Sequence, residues 1–185
     1  MNTTIYKQEA TVPGERIANL KTLLDTIKHP FASGQSIGIK VHWGEIDNHA
    51  FLEPALAKEI VIWLIGLGCK PFVFDTTVLY SGSRRTGEGS LATAVTHGYT
   101  EAFLGCPVVI GDGLDGRDVV GIPSGKHLKT AQVASLVNKT DGFVLFSHFK
   151  GSIVTSFGGA LKNMGMGFSS RAQKQRMHAD VFPVL

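Results

Sequence analysis

The sequence predicts an α/β domain built on an open, mostly parallel sheet with helices on both faces. Short apolar segments alternate along the chain with longer segments whose apolar residues recur at helical spacing. The short segments are apolar throughout, which is typical of parallel strands covered on both sides. With 185 residues, 43% of them hydrophobic, the chain is long enough for a sizeable core, and we expect residues 1–185 to form a single domain.

The helices and strands are predicted from periodicity and from their end signals. Pro54 in a first turn and Gly68 after a last turn bound the strongest helix. The predicted elements are a helix over Glu15–Ile27, a strand over Ser36–Val41, a helix over Glu53–Leu67, a strand over Pro71–Phe74, a helix over Gly89–His97, a strand over Pro107–Ile110, one or two strands in Val119–Ala134 around a Ser124-Gly125 turn, a strand over Gly142–Phe146, and a helical part of Ser156–Met166.

Composition excludes several classes of protein. The net charge of +3 and the scattered basic residues argue against nucleic-acid binding. The N-terminus lacks the apolar core of a signal peptide, and the apolar run Ile60–Leu67 is too short to span a membrane, so we expect a cytoplasmic protein. Cys69 and Cys106 form no closely spaced pair, which excludes a disulfide framework, a zinc knuckle or a complete iron–sulphur cluster site within these residues.

Polar and charged side chains follow four of the predicted strands. In an open α/β sheet, ligands bind outside the carboxyl ends of the strands. The residues at these ends are His42 to Glu45, Asp75 to Thr77 with Arg84 and Arg85 further on, Gly111 to Gly113, and Ser147 to Lys150. Taken singly, each has a structural explanation as a capping, turn or solvated residue. Their convergence on one edge predicts a ligand site there.

A dinucleotide-binding motif is matched in sequence but not in its predicted structural context. Residues Gly111–Gly116 match GxGxxG, but the required helix is not predicted after them, and two aspartates in the loop would repel a pyrophosphate.

The most informative stretch runs from Ser147 to Gly167 and is rich in glycine. Backbone amides at Gly158 and Gly159, followed by a helix start, suit an anion, and Lys150 and Lys162 would add positive charge. Lys162 would also serve as a nucleophile or a tether if burial removed its proton. The alternative, that the glycines only allow tight packing and both lysines are solvated, stays open at this point.

Seven motifs in this order resemble the domain-of-unknown-function family three-six-two, often labelled iron–sulphur centre protein. They are KVHWGE (Lys40–Glu45), FDTTVLYSGSR (Phe74–Arg84), HGY (His97–Tyr99), GKHLK (Gly125–Lys129), SHFKG (Ser147–Gly151), FGGALKNMGMG (Phe157–Gly167) and SRAQKQRMH (Ser170–His178). The resemblance implies a 4Fe-4S ferredoxin-type segment after a stretch like His178–Leu185. Two expectations follow from it: the chain is a fragment cut before that segment, or it is a member without the cluster.

The FGGALK block is also similar to the lysine loop of lactate racemase-type enzymes. That similarity implies a nickel-pincer nucleotide bound covalently to Lys162, with His178 as a nickel ligand. Ser152 stands where those enzymes often have a catalytic histidine, ten residues before the lysine. This departure weakens a pincer mechanism that needs that histidine as an acid or base.

Three functional hypotheses result. The first is an enzyme acting on a small acidic substrate: His42, His148 and Lys162 would be catalytic, Asp75, Arg84, Lys150, Gly158, Gly159 and Lys162 would bind the ligand or cofactor, and His178 would ligate a metal. The second is a non-catalytic redox or ligand-binding partner of a ferredoxin-type module, in the same chain or another. The third is a scaffold that has lost its site.

Overall fold

The computed structural model describes residues 4–123, 128–152 and 156–178, which form six α-helices and eight strands. In chain order they are α1 (Arg16–Thr26), β1 (Ser36–Lys40), α2 (Pro54–Gly66), β2 (Lys70–Asp75), α3 (Gly87–Thr96), α4 (Glu101–Leu104), β3 (Val108–Ile110), β4 (Val119–Pro123), β5 (Thr130–Ala134), β6 (Gly142–Leu145), β7 (Lys150–Ser152), β8 (Ser156–Gly158), α5 (Ala160–Gly167) and α6 (Arg171–His178).

Four parallel strands form the main sheet in the order β3-β2-β1-β6. The chain moves outward from β1 to β2 and β3, and β6 then pairs with the free side of β1. The direction of winding therefore reverses between β1 and β6. Such a switch point opens a crevice at the carboxyl ends of the two strands.

One face of the sheet carries the main apolar core. Ile37, Ile39 and Val73 are fully buried against α2 residues such as Val61 and Leu64. Side chains alternate between the faces of a strand, so the intervening residues of β1 and β2 project to the other side. There Phe74, Phe143 and Phe168 form edge-to-face and tilted ring contacts.

Helices thus cover both faces, as predicted, since α5 contacts β1 and β6 while α2 contacts β1 and β2. Pro54 starts α2, and Gly68, with a φ of +77°, permits the turn after its end. In the described part of the chain, no helix is both long enough and apolar enough to cross a bilayer.

The predicted α/β class and most predicted elements agree with the structure. The segment Val119–Ala134 contains two antiparallel strands, β4 and β5, while the expected Ser124-Gly125 turn lies outside the described residues. The sequence analysis missed α4, the β7–β8 hairpin and α6. The extent of the domain over all 185 residues stays a prediction.

Candidate functional site

A cavity of about 870 Å³ opens at the carboxyl ends of β1, β2 and β6, beside the switch point. Its volume is within the range of small-molecule and cofactor sites. Every candidate site residue from the sequence lines this one cavity, although they come from strands, loops and helices far apart along the chain. These residues are His42, Asp75, Arg84, His148, Lys150, Gly158, Gly159, Lys162 and His178. Their proposed chemical roles stay predictions.

A buried network of alternating charges forms the floor of the cavity. Asp75, at the end of β2, accepts a hydrogen bond from Lys40 Nζ at 2.8 Å and one from Arg84 Nη2 at 2.6 Å. Lys40 and Arg84 are each 1% exposed and Asp75 is 3% exposed. Burial alone would raise the pKa of the Asp75 carboxyl, but the charges of Lys40 and Arg84 outweigh it and lower the pKa to about 2.

Arg84 contacts more than one acceptor. Its Nη1 lies 2.7 Å from Glu45 Oε1 and 3.1 Å from the main-chain oxygen of Gly44. Burial disfavours the charge, yet the carboxylates of Asp75 and Glu45 outweigh this and raise the pKa of Arg84. Tyr80 donates to the same Glu45 oxygen, and burial together with that contact raises the pKa of Tyr80. Because protein groups already engage both of its terminal nitrogens, Arg84 offers the cavity no free guanidinium fork.

Lys40 has three acceptors, enough for the three N–H groups of an ammonium. Besides Asp75, its Nζ donates to the main-chain oxygen of Val41 at 2.7 Å and to Asn163 Oδ1 at 2.9 Å. Asn163 in turn donates to Ser147 Oγ at 2.9 Å. Burial lowers the pKa of Lys40 while contact with Asp75 opposes that effect. The network therefore fixes α5 to the ends of β1 and β6.

His42 lies between a main-chain amide and the Arg84 guanidinium. The main-chain N–H of Gly44 donates to His42 Nδ1 at 3.1 Å, and Arg84 Nη1 lies 3.3 Å from Nε2. Burial lowers the pKa of His42 to about 4. The charges of Arg84, Lys150 and Lys40 act in the same direction, and Asp75 opposes them. A neutral imidazole with so low a pKa carries protons poorly at neutral pH.

We expect the substitution His42→Asn to flatten the pH dependence of stability between pH 6.5 and 4. The folded-state pKa of about 4 lies below the ordinary value of 6.5, so the unfolded chain binds more protons in this window. The contribution of His42 to the free energy of unfolding is therefore fully present above pH 6.5. It is lost as the pH falls towards 4, by up to about 2 kcal/mol after allowance for partial exposure. Urea unfolding across this window measures it. The exposed control His49→Asn should keep the wild-type slope, and the same slope in His42→Asn would contradict the assignment.

Lys162 lies on the first turn of α5 and is half-buried. Its Nζ donates to Ser152 Oγ at 3.0 Å. The residue ten positions before the lysine is thus in direct contact with it. The role of Lys162 as a nucleophile or a tether stays a prediction.

Lys174 is a site residue that sequence reasoning missed. It lies in α6 with 6% exposure, lines the cavity, and donates to Thr76 Oγ1 at 2.9 Å and to the main-chain oxygen of Thr77. Burial lowers its pKa to about 8. The helix was missed because Arg171–His178 has almost no apolar periodicity. Lys40 was missed as well, although a lysine inside an otherwise apolar strand could have indicated a buried charged group.

The loop with the GxGxxG spelling does not bind phosphate in the manner of a dinucleotide fold. The strand β4 follows this loop, where a dinucleotide-binding motif requires a helix. Asp112 accepts from Thr77 N at 2.9 Å and from Thr77 Oγ1 at 2.6 Å. Its role is to hold the segment after β2.

Metal-ligating residues are sparse in the described ranges. There, no group of three or more His, Cys, Asp or Glu is placed to hold a metal ion. His178 lines the cavity, and its assignment as a metal ligand stays a prediction. Cys69 and Cys106 are buried and outside the cavity lining.

The comparison with known proteins identifies a family. The sequence profile of the family described as Domain of unknown function (DUF362) matches residues 37–182, which include every candidate site residue. No curated protein and no solved structure is significantly similar to the chain. The profile covers well over half of the sequence, so the chain belongs to the DUF362 family.

Proposed function

We propose that this domain binds a small molecule bearing carboxylate or phosphate groups in the strand-end cavity and acts on it as an enzyme. The supporting observation is the charge of the lining. Five lysine and arginine side chains line the cavity in the described part of the chain, against one carboxylate, that of Asp75.

The excess charge is concentrated on three lysines. Lys40 and Arg84 are neutralised locally by Asp75 and Glu45. No carboxylate of the described residues forms an ion pair with Lys150, Lys162 or Lys174. Charged hydrogen bonds strengthen in a site shielded from water, so an anion would supply the negative charge that the described residues do not pair with these amines.

The backbone supports the same ligand class. Gly158 and Gly159 line the cavity immediately before α5, whose first turn carries Lys162. Amide groups at a helix start favour negative charge, and here they add to the lysines. The cavity also occupies the switch point, where ligands of open α/β sheets bind.

The proposed catalytic groups lie around this anion site. His148 is exposed at the cavity rim, and Lys162 faces the cavity from α5. With an acidic substrate held by the lysines, an imidazole at the rim would exchange protons with it. His42, with a pKa of about 4, is not the proton carrier in this proposal.

Calorimetric titration with sodium oxalate and with inorganic phosphate tests the proposal. We expect saturable binding to the wild-type chain that weakens with added salt. Lys150→Ala and Lys162→Ala should each weaken it by about tenfold, since a hydrogen bond to a charged group contributes roughly 1.5–3 kcal/mol. Lys70→Ala, an exposed lysine at the opposite end of β2, is the matched control and should bind like the wild type. Equal losses in all three variants, or no saturable binding, would refute the proposal.

A nucleotide-like cofactor is the second candidate, favoured by one observation: Lys162 and His178 line the same cavity. The volume and basic lining fit a phosphorylated cofactor in size and charge. Lys162 would tether a pincer nucleotide and His178 would contact its metal, which would supply hydride chemistry. Elemental analysis with intact-mass measurement of the freshly purified chain distinguishes this case by nickel and added mass on the Lys162 peptide.

A ferredoxin-type partner would have to bring its own cluster ligands, because the buried cysteines Cys69 and Cys106 lie outside the cavity lining. In that alternative the domain binds the anion and a 4Fe-4S module transfers electrons. Cysteine-rich sequence after Leu185 in the gene would favour it, and anion turnover by the isolated chain would count against it.

A further inference from the structure

Three lysines of the cavity differ in what their amines contact. Lys40 Nζ has three acceptors, one of them a carboxylate, which suits an ammonium. Lys162 Nζ donates to one hydroxyl and is half-buried. Lys174 Nζ donates to two neutral oxygens, Thr76 Oγ1 and Thr77 O, and is 6% exposed.

The two acceptors of Lys174 match the two N–H groups of a neutral amine. Thr76 Oγ1 itself donates to the main-chain oxygen of Gly167 at 2.8 Å, so its lone pairs are free to accept from Lys174. With both N–H groups bonded to protein, the nitrogen lone pair is left over. Because Lys174 lines the cavity, that lone pair is the part of the amine left for a bound molecule.

The charged groups around Lys174 do not return the pKa of its amine to the ordinary value. Asp112 after β3 and Asp75 at the end of β2 raise its pKa, while Lys40 of β1 and Arg84 lower it. These contributions oppose one another, and burial decides the outcome, a pKa of about 8. With this pKa, roughly a tenth of the chains carry an uncharged amine at this position at pH 7.

We propose that Lys174 is the reactive amine of the cavity and condenses with the carbonyl group of a small anionic aldehyde or 2-oxo acid. The inference rests on the proposed anion site and names its substrate class. The nitrogen lone pair forms a bond to the carbonyl carbon, and the oxygen gains a proton to give a carbinolamine. With one proton taken from solvent the hydroxyl group leaves as water, and the nitrogen's electron pair forms the C=N bond of a protonated imine on Lys174. The cationic lysines at the cavity would hold the substrate's carboxylate.

Reductive trapping with glyoxylate and sodium cyanoborohydride tests this in the unaltered chain. The hydride reduces the imine carbon, and peptide mass mapping locates the resulting carboxymethyl group. Lowering a lysine pKa from 10.5 to about 8 increases the neutral amine at pH 7 by roughly two orders of magnitude. We therefore expect Lys174 to be labelled at least about tenfold faster than exposed Lys70, with a rate that rises through pH 8 and is suppressed by oxalate.

Equal labelling of Lys174 and Lys70, faster labelling of Lys162, or labelling of Lys174 that oxalate does not suppress would overturn the inference. Oxalate titration without the aldehyde separates the two proposals. Saturable oxalate binding with unlabelled Lys174 would refute the reactive-amine role alone. Absence of oxalate binding would refute the anion site on which that role rests.

Discussion

Asp75→Asn is expected to destabilise the domain by about 3–5 kcal/mol, because it removes the carboxylate between two buried cations. Lys40 and Arg84 are each 1% exposed and lie 2.8 and 2.6 Å from the carboxylate oxygens. Asparagine keeps the shape of the side chain but supplies no charge, and its amide hydrogens would face a cation. Urea unfolding followed by tryptophan fluorescence gives the change in the free energy of unfolding.

The matched control is Asp47→Asn, an exposed aspartate for which a change within about 0.5 kcal/mol is expected. A loss below about 1 kcal/mol in Asp75→Asn would show that the buried network does not depend on its carboxylate. The folded pKa of about 2 lies below the ordinary 3.8, so the contribution of Asp75 is complete above pH 3.8 and is lost as the pH falls through 2.

Gly89→Ala should destabilise the domain by about 3 kcal/mol, the reverse of the usual effect of alanine in a helix. Gly89 lies in the first turn of α3, and a Cβ there would be 2.0 Å from the main-chain oxygen of Ser83. That oxygen belongs to the turn Ser83–Arg85, which carries Arg84 into the charged network. The clash can be relieved only by moving backbone, and the turn would carry Arg84 away from Asp75.

Gly66→Ala in α2 is the paired control, because a Cβ at Gly66 meets nothing within 4 Å. Alanine there should leave stability unchanged or raise it by up to about 1 kcal/mol. Thermal unfolding of both variants compares the same chemical change in two environments. If Gly89→Ala is as stable as Gly66→Ala, the turn Ser83–Arg85 does not pack against α3 as closely as we infer.

The position of the site was predictable because it depends on local features. Apolar segments identify the strands, and parallel strands bring the residues that follow them to one edge. The strand pattern alone therefore predicts that His42, Asp75, Arg84 and His148 lie close together. In the folded chain all four line one cavity.

The buried lysines were not predictable because their environments depend on distant residues. Lys40 forms an ion pair with Asp75, 35 positions along the chain, and Lys174 contacts Thr76 and Thr77 from almost a hundred positions away. A lysine in a polar segment such as Arg171–His178 gives no sign that it will be buried. Burial of a cation is a property of the assembled fold.

The central claim is that small anions bind at the carboxyl ends of the strands. An NMR titration of the isotope-labelled chain with inorganic phosphate tests it most directly. We expect saturable shifts at the amides of Gly158, Gly159 and Lys162, which line the cavity, with those of Gly34 and Lys70 at the opposite edge unchanged. Shifts confined to other surfaces, or shifts that grow without saturation across the whole chain, would contradict it.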